Sequence, residues 1–234
     1  MRIAEIYASL QGEGLLAGTP SVFVRTSGCN LRCAWCDTPF TSWRPEGDDL
    51  PVAAVLEQVR AAGPRHVVVT GGEPLLLAAT AELCWGLRAE GFHVTIETAG
   101  TLPAPGAARE PLADLMSISP KLASSTPPAG IPGGWAVRHE AARRRDDVLR
   151  GLMAGPHQLK FVVDSAADFA EATGWLDALG LSAAARRRVF MMPQGRTAAE
   201  LATTGAWLEP ACRRAGFRFA PRHHVAWFGA ARGT

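Results

Sequence analysis

Three cysteines fall within eight residues near the start of the chain, in Cys29-Asn30-Leu31-Arg32-Cys33-Ala34-Trp35-Cys36. Thiolates so close in sequence can converge on one metal centre at little loop-closure cost. The remaining two cysteines, Cys84 and Cys212, stand alone. A cubane iron–sulfur cluster is usually held by four cysteines. Three leave one iron open to a small molecule, as an open catalytic metal site differs from a closed structural one. The competing reading is a structural zinc site with a distant fourth ligand, such as Cys84, Cys212 or a histidine. A C-x3-C-x2-C spacing is unusual for zinc, and Cys84 falls mid-helix, where a buried thiol acts as a small hydrophobe.

The pattern around the cysteines predicts alternating strands and helices. Val22-Phe23-Val24-Arg25 reads as a strand running into Gly28-Cys29, and residues 51–62 carry Val52, Val55, Leu56 and Val59 at helical spacing with Pro51 suited to the first turn. The β-branched run His66-Val67-Val68-Val69-Thr70 reads as a buried parallel strand ending at Gly71-Gly72. Further strands are predicted at 92–97, 115–119, 159–163, 189–192 and 217–219, with helices at 79–90, 136–152, 166–179 and 197–215. Repeated βα units imply parallel strands with crossover helices. A complete eight-unit barrel takes ~250 residues. About six units are legible, so the expected fold is α/β, a partial (incomplete) TIM-like barrel of about six parallel strands in a single domain spanning 1–234. Its chemistry belongs at the C-terminal ends of the strands. Residues 123–156 read as an elaborated insertion, a loop dense in proline and glycine followed by a basic helix.

Hydrophobic residues make up 47% and charged residues 20%, with a formal net charge of +2. A globular core is therefore expected, and nucleic-acid binding driven by bulk charge is not. No apolar run reaches the ~18 residues a membrane-spanning helix needs, and the first residues read as a strand rather than a leader. The expectation is a cytoplasmic chain, in which reduced cysteines bind metal rather than form disulfides.

The cysteine loop, with Trp35 just before its third cysteine, resembles that of the radical S-adenosylmethionine (radical SAM) superfamily. Thr70-Gly71-Gly72-Glu73-Pro74, directly after a predicted strand, resembles its GGEP motif. The resemblance implies a [4Fe–4S] cluster on Cys29, Cys33 and Cys36, with S-adenosylmethionine chelating the open iron and yielding a 5′-deoxyadenosyl radical on reduction. Over nearly its whole length the chain further resembles the 7-carboxy-7-deazaguanine synthase family. The matching stretches are Ile6 to Gly14, Val22 to Arg25, Cys36-Asp37-Thr38, Glu97 to Thr101, Ser119 to Lys121, Leu159 to Val163 and Met192 to Gly195. That family makes 7-carboxy-7-deazaguanine from 6-carboxy-5,6,7,8-tetrahydropterin with loss of ammonia, by hydrogen abstraction at C6, ring contraction and return of the hydrogen.

Residue by residue, the resemblance implies substrate contacts from Leu10, Gln11, Gly12 and Glu13, with Glu13 reading the guanidine-like pterin edge. Arg25 would hold the substrate carboxylate, Thr70 would reach substrate, and Glu97 is a further pterin contact or else a helix cap. Trp35, Cys36, Asp37 and Gly72 would meet the cosubstrate, together with Ser119, Pro120 and Lys121 and with Met192, Pro193, Gln194 and Gly195. Thr38 would bind Mg²⁺, a hard cation suited to a hydroxyl and a carboxylate. The resemblance also implies a homodimer.

Two regions are read more loosely. The basic helix of 136–152, with Trp135, Arg138, His139 and Arg143 to Arg145, reads as a solvated face; the alternative is a docking surface for an acidic electron donor such as flavodoxin. The tail, 220–234, is expected near substrate, with at most one of His223 and His224 serving, because neighbours on a strand point in opposite directions. The competing functions are another radical enzyme of the activase type, or a non-catalytic iron–sulfur or zinc protein. Activases with extra clusters need further cysteine groups, whereas Cys84 and Cys212 stand alone, and a non-catalytic protein does not account for Thr70 to Pro74 or the open coordination site.

Overall fold

In a computed structural model of the chain, described for residues 1–106, 110–229 and 231–233, the strands form one nine-stranded sheet. Six strands of useful length run parallel: β2 (Pro20–Thr26), β4 (His66–Gly71), β5 (His93–Thr98), β6 (Leu115–Ile118), β7 (His157–Val163) and β8 (Val189–Pro193). A two-residue β9 (Arg218–Phe219) adds in parallel beyond β8. The long β1 (Arg2–Leu10) pairs antiparallel with β2, and the short β3 (Asp48–Asp49) borders β1. The parallel part is the incomplete barrel expected from the βα repeat.

Each parallel strand is buried on both faces, and the pleat divides its residues into two sets. Val22 and Val24, Val67 and Val69, Val94 and Ile96, and Leu159, Phe161 and Val163 join the main apolar core. There they meet helices such as α2 (Val52–Ala62), which buries Val55 and Val59, and α3 (Ala79–Ala89), which buries Leu83, Cys84 and Leu87. The alternate positions are largely polar and face the concave side: Ser21 and Arg25, His66 and Thr70, Thr95 and Glu97, Gln158 and Lys160. Deep on that side, Ser21 Oγ donates to the Thr19 carbonyl, so His66 Nδ1–H donates to Ser21 (2.7 Å) and Nε2 accepts from Thr95 Oγ1 (2.8 Å). Burial, reinforced by His93, lowers the His66 pKa to about 4, consistent with this neutral tautomer.

Two segments differ from expectation. The predicted 136–152 helix is two helices, α4 (Trp135–Arg143) and α5 (Asp146–Leu152). Arg144 is extended between them, and Asp146 and Asp147 start the second helix, where acidic side chains suit the N-terminal dipole. The solvated face holds for Arg138, Arg144 and Arg145, which are exposed, but His139 and Arg143 are buried, the latter paired with Glu140 and Glu171. At the tail, residues His223–Phe228 form a helix (α9), so the strand argument about its two histidines does not apply. No helix among the described residues is long and apolar enough to cross a membrane.

Candidate active site

The cysteine loop leaves the C-terminal end of β2 and is held by backbone contacts on all sides. Gly28 N–H donates to the Thr41 carbonyl (2.8 Å), Ala34 N–H to the Ser125 carbonyl (2.8 Å), and Trp43 Nε1 to the Cys33 carbonyl (3.0 Å). From α4, His139 Nδ1 accepts from Arg32 N–H (3.2 Å), which leaves Nε2–H to donate to Ser125 Oγ (2.9 Å). Burial, then Arg143, lowers the His139 pKa to about 4, so the imidazole is neutral in this role. Arg32 stacks 4.1 Å from the centre of the Trp135 ring. Ser125 and α4 therefore buttress the cysteine loop.

The Gly-Gly turn after β4 presses against the start of that loop. Gly71 has φ +138°, and a β-carbon on it would lie 2.1 Å from the Thr26 carbonyl oxygen; one on Gly72 would lie 2.1 Å from that of Gly28. Only glycine permits both approaches. Glu73 follows, fully buried, accepting from Leu75 N–H (3.0 Å), Thr98 Oγ1 (2.8 Å) and Ala99 N–H (2.8 Å). Its burial pushes the carboxyl pKa up despite those donors. Glu73 thus ties the end of β4 to the end of β5 rather than facing ligand.

On the concave face lies a row of alternating charges. Lys160, 3% exposed, donates to Glu13 (2.9 Å) and Glu97 (2.9 Å). Arg222 donates to Glu13 (3.2 Å) and to Asp37 (2.6 Å). Glu97 also accepts from Gln11 Nε2 (3.3 Å) and Thr70 Oγ1 (3.1 Å). Burial alone would raise the Glu13 pKa, but Lys160, Arg222 and His224 outweigh it and hold the carboxyl well below the usual range. For Lys160 burial likewise opposes the charge, and the two glutamates prevail and raise its pKa. Both groups are ionised at neutral pH. Arg25 donates to Glu5 (2.6 Å) and to the Tyr7 hydroxyl (2.7 Å), using Nε and Nη2 and leaving Nη1 without a hydrogen bond among the described residues.

These groups line one cavity of about 330 Å³, and Cys29, Cys33 and Cys36 form part of the same wall. All three cysteines are free of disulfides. Among the described residues no three His, Cys, Asp or Glu side chains converge tightly enough to hold a single metal ion. Three thiols on one cavity wall suit a group that leaves a coordination position to a ligand in the cavity. Burial pushes the Cys29 and Cys33 thiols up to about 12, so a metal group binding there displaces their protons. Trp35, on the same wall, has its indole nitrogen buried without a hydrogen-bond partner among the described residues. The donor set fits a three-cysteine cluster with a ligand beside it.

The structure brings most of the sequence-predicted residues to this cavity. Leu10 to Glu13, Arg25, Thr70 and Glu97 are on its wall, as are Asp37, Thr38, Gly72, Ser119, Lys121 and Gly195. Pro120, Met192, Pro193 and Gln194 stand back from it. Met192 packs with Phe190 and Ala220 in a separate inner-face cluster, and Gly195 alone of its tetrapeptide reaches the wall. In the tail, His224 lines the cavity whereas His223 stacks on Trp227 at 5.0 Å. Sequence reasoning missed Lys160, Arg222, Glu5 and Tyr7. Lys160 carried a signal, a lysine at an inward position of an otherwise apolar strand.

The chain is similar to several known proteins. The radical SAM superfamily model matches residues 23–124. A 7-carboxy-7-deazaguanine synthase of Rhodopirellula baltica is 45% identical over 99% of this chain and 88% of its own. One of Halobacterium salinarum is 44% identical, covering 96% of this chain and 89% of its own. Among solved structures, QueE from Escherichia coli aligns with a TM-score of 0.67 at 23% identity, covering 95% of this chain and 94% of that one, a likeness of fold.

Proposed function

The chain belongs to the 7-carboxy-7-deazaguanine synthase family of the radical SAM superfamily, and from that premise we propose how its own residues carry the reaction. The enzyme contracts the ring of 6-carboxy-5,6,7,8-tetrahydropterin to 7-carboxy-7-deazaguanine with loss of ammonia, a step toward queuosine and 7-deazapurines. When bound, the [4Fe–4S] cluster and S-adenosylmethionine supply the one-electron, hydrogen-abstracting chemistry. Cys29, Cys33 and Cys36 would hold the cluster, and Trp35, Asp37, Gly72, Ser119, Lys121 and Gly195 would border the cosubstrate.

The observation that carries the substrate reading is the charged row on the concave face. Lys160 pairs with both Glu13 and Glu97 and holds the Glu13 carboxyl ionised, and the two side chains present acceptors to a donor-rich edge such as that of a pterin. Arg25 has an Nη1 with no hydrogen bond among the described residues, which we assign to the substrate carboxylate, and its planar fork suits that group. Thr38, on the cavity wall beside Cys36, is our candidate Mg²⁺ ligand. The family supports a homodimer, a cytoplasmic location and a flavodoxin-type electron donor. Of the arginines considered for docking such a donor, Arg144 and Arg145 are accessible, each paired with an aspartate of α5, while Arg143 is buried.

The test is anaerobic reconstitution of the cluster, followed by incubation with 6-carboxytetrahydropterin, S-adenosylmethionine, Mg²⁺ and dithionite. Formation of 7-carboxy-7-deazaguanine is expected. Its absence from a fully reconstituted enzyme that still releases 5′-deoxyadenosine would overturn the substrate assignment and leave the superfamily intact.

A further inference from the structure

Arg222 precedes α9, and its guanidinium, 9% exposed, joins three segments distant in sequence. Nε donates to Glu13 Oε1 (3.2 Å) in the loop after β1, Nη1 to the Gly195 carbonyl (3.0 Å) after β8, and Nη2 to Asp37 Oδ2 (2.6 Å) just past the third cysteine. A planar fork with donors in fixed directions can satisfy three such acceptors at once, and a single ammonium at the end of a flexible stem cannot. Glu13 and Asp37 are like charges, and the guanidinium between them is what permits their approach. The tail is fastened to the same loop a second time, where His223 N–H donates to the Gly12 carbonyl (3.0 Å). That packing is close: a β-carbon on Gly12 would fall 2.8 Å from the His224 backbone nitrogen. Glu13 cannot shift without moving Arg222, and Arg222 cannot shift without releasing Asp37 and Gly195.

On the site assignment given above, Glu13 belongs to the substrate half of the cavity and Asp37 and Gly195 to the cosubstrate half. We infer that Arg222 is a positioning residue that couples the two halves, so that binding of S-adenosylmethionine and of the pterin each strengthens the other. Because the fork holds all three acceptors at once, a ligand that shifts one of them shifts the fork and with it the other two. The second ligand then meets a geometry that the first has already set. Because the coupling is between binding equilibria, it is reciprocal.

The inference is tested by anaerobic calorimetric titration of the reconstituted wild type, Arg222→Gln and Arg222→Lys. S-adenosylmethionine is titrated with and without saturating 6-carboxytetrahydropterin, and the pterin with and without S-adenosylmethionine. In the wild type each ligand is expected to lower the Kd of the other by about tenfold, within the usual range of such couplings. In Arg222→Gln that factor falls below about twofold, whatever the change in the Kd of either ligand alone; Arg222→Lys, which keeps charge but loses the fork, lies between. Should Arg222→Gln not fold, the same comparison is made on Arg222→Lys. Coupling absent from the wild type, or undiminished in the variants, overturns the inference. So does an equal rise in both single-ligand constants with the coupling kept, the mark of a merely structural contact. If the pterin fails to bind wild type at all, the substrate assignment fails and this inference falls with it.

Discussion

Replacing Lys160 with methionine removes one charge and leaves the stem almost unchanged, so it isolates what the ammonium does. In the wild type it sits between Glu13 and Glu97 at 2.9 Å from each, with 3% of its side chain exposed. Without it, Glu13 keeps Arg222, while Glu97 keeps only the neutral donors Gln11 and Thr70. Removing one partner of a fully buried ion pair costs about 3–5 kcal/mol. Glu13 and Glu97 retain 15% and 22% side-chain exposure through the cavity mouth, so water offsets part of that. The expected loss is about 2–3 kcal/mol at pH 7.5. Its pH dependence has a definite sign. The wild-type Glu13 pKa lies below its ordinary 4.5, so the pairing contributes stability above pH 4.5 that is lost as the pH falls through the folded value. The variant crowds two carboxylates without their cation, and one of them takes up a proton in the folded state at mildly acid pH. The gap between variant and wild type should therefore narrow between pH 7.5 and 5.5. Urea unfolding of the cluster-free proteins at both values measures it. A loss below about 0.5 kcal/mol at pH 7.5, or a gap that widens on acidification, would refute the reasoning.

Four further outcomes are expected. His66, neutral in its buried network with a pKa of about 4 against an ordinary 6.5, contributes stability above pH 6.5 that is lost as the pH falls toward 4, at most about 3 kcal/mol; in His66→Phe the urea midpoint should vary less over that window. Gly72→Ala sets a β-carbon 2.1 Å from the Gly28 carbonyl oxygen, and calorimetry should register a loss of about 3 kcal/mol, or a Tm lower by about 6–12 °C. Alanine at Cys29, Cys33 or Cys36 should abolish iron–sulfur absorbance after reconstitution, whereas Cys84→Ala should keep it and cost about 1 kcal/mol of core packing. Thr38→Ala should blunt the response of turnover to added Mg²⁺ while leaving iron content unchanged.

How far the sequence disclosed this protein follows from how local each signal is. The cysteine loop and Thr70 to Pro74 are contiguous, and each imposes its chemistry through its own backbone, so both were legible. The βα alternation was legible because a buried parallel strand leaves a run of Val, Ile and Phe whatever lies beyond it. The break at Arg144 was hidden because the arginines and aspartates around it suit either one basic helix or a helix end followed by a helix start. The Arg143 side chain, buried against Glu140 and Glu171, could not be told from its exposed neighbours. Arg222 meets partners 209, 27 and 185 residues away, a relation fixed only by tertiary folding.

The two faces of the parallel strands explain why the stabilising part was easier to read than the site. Outward positions need only be apolar and of suitable volume, a demand written in residue type alone. Inward positions differ by depth. Near the strand starts, Ser21, His66 and Thr95 satisfy one another as neutral groups. Toward the strand ends, Arg25, Thr70, Glu97 and Lys160 stand at the same kind of inward position and carry charge or reach it. Register decides which layer a residue joins: Val24 pairs with Val69 and Arg25 with Thr70, while Val69 in turn pairs with Ile96. A shift of one residue in any of these pairings would exchange the core face for the cavity face. The apolar face therefore fixes more than stability. By holding the register, it sets Glu97 level with Gln158, where the Lys160 ammonium two residues on can reach it, and makes a charged row out of residues that no local motif connects.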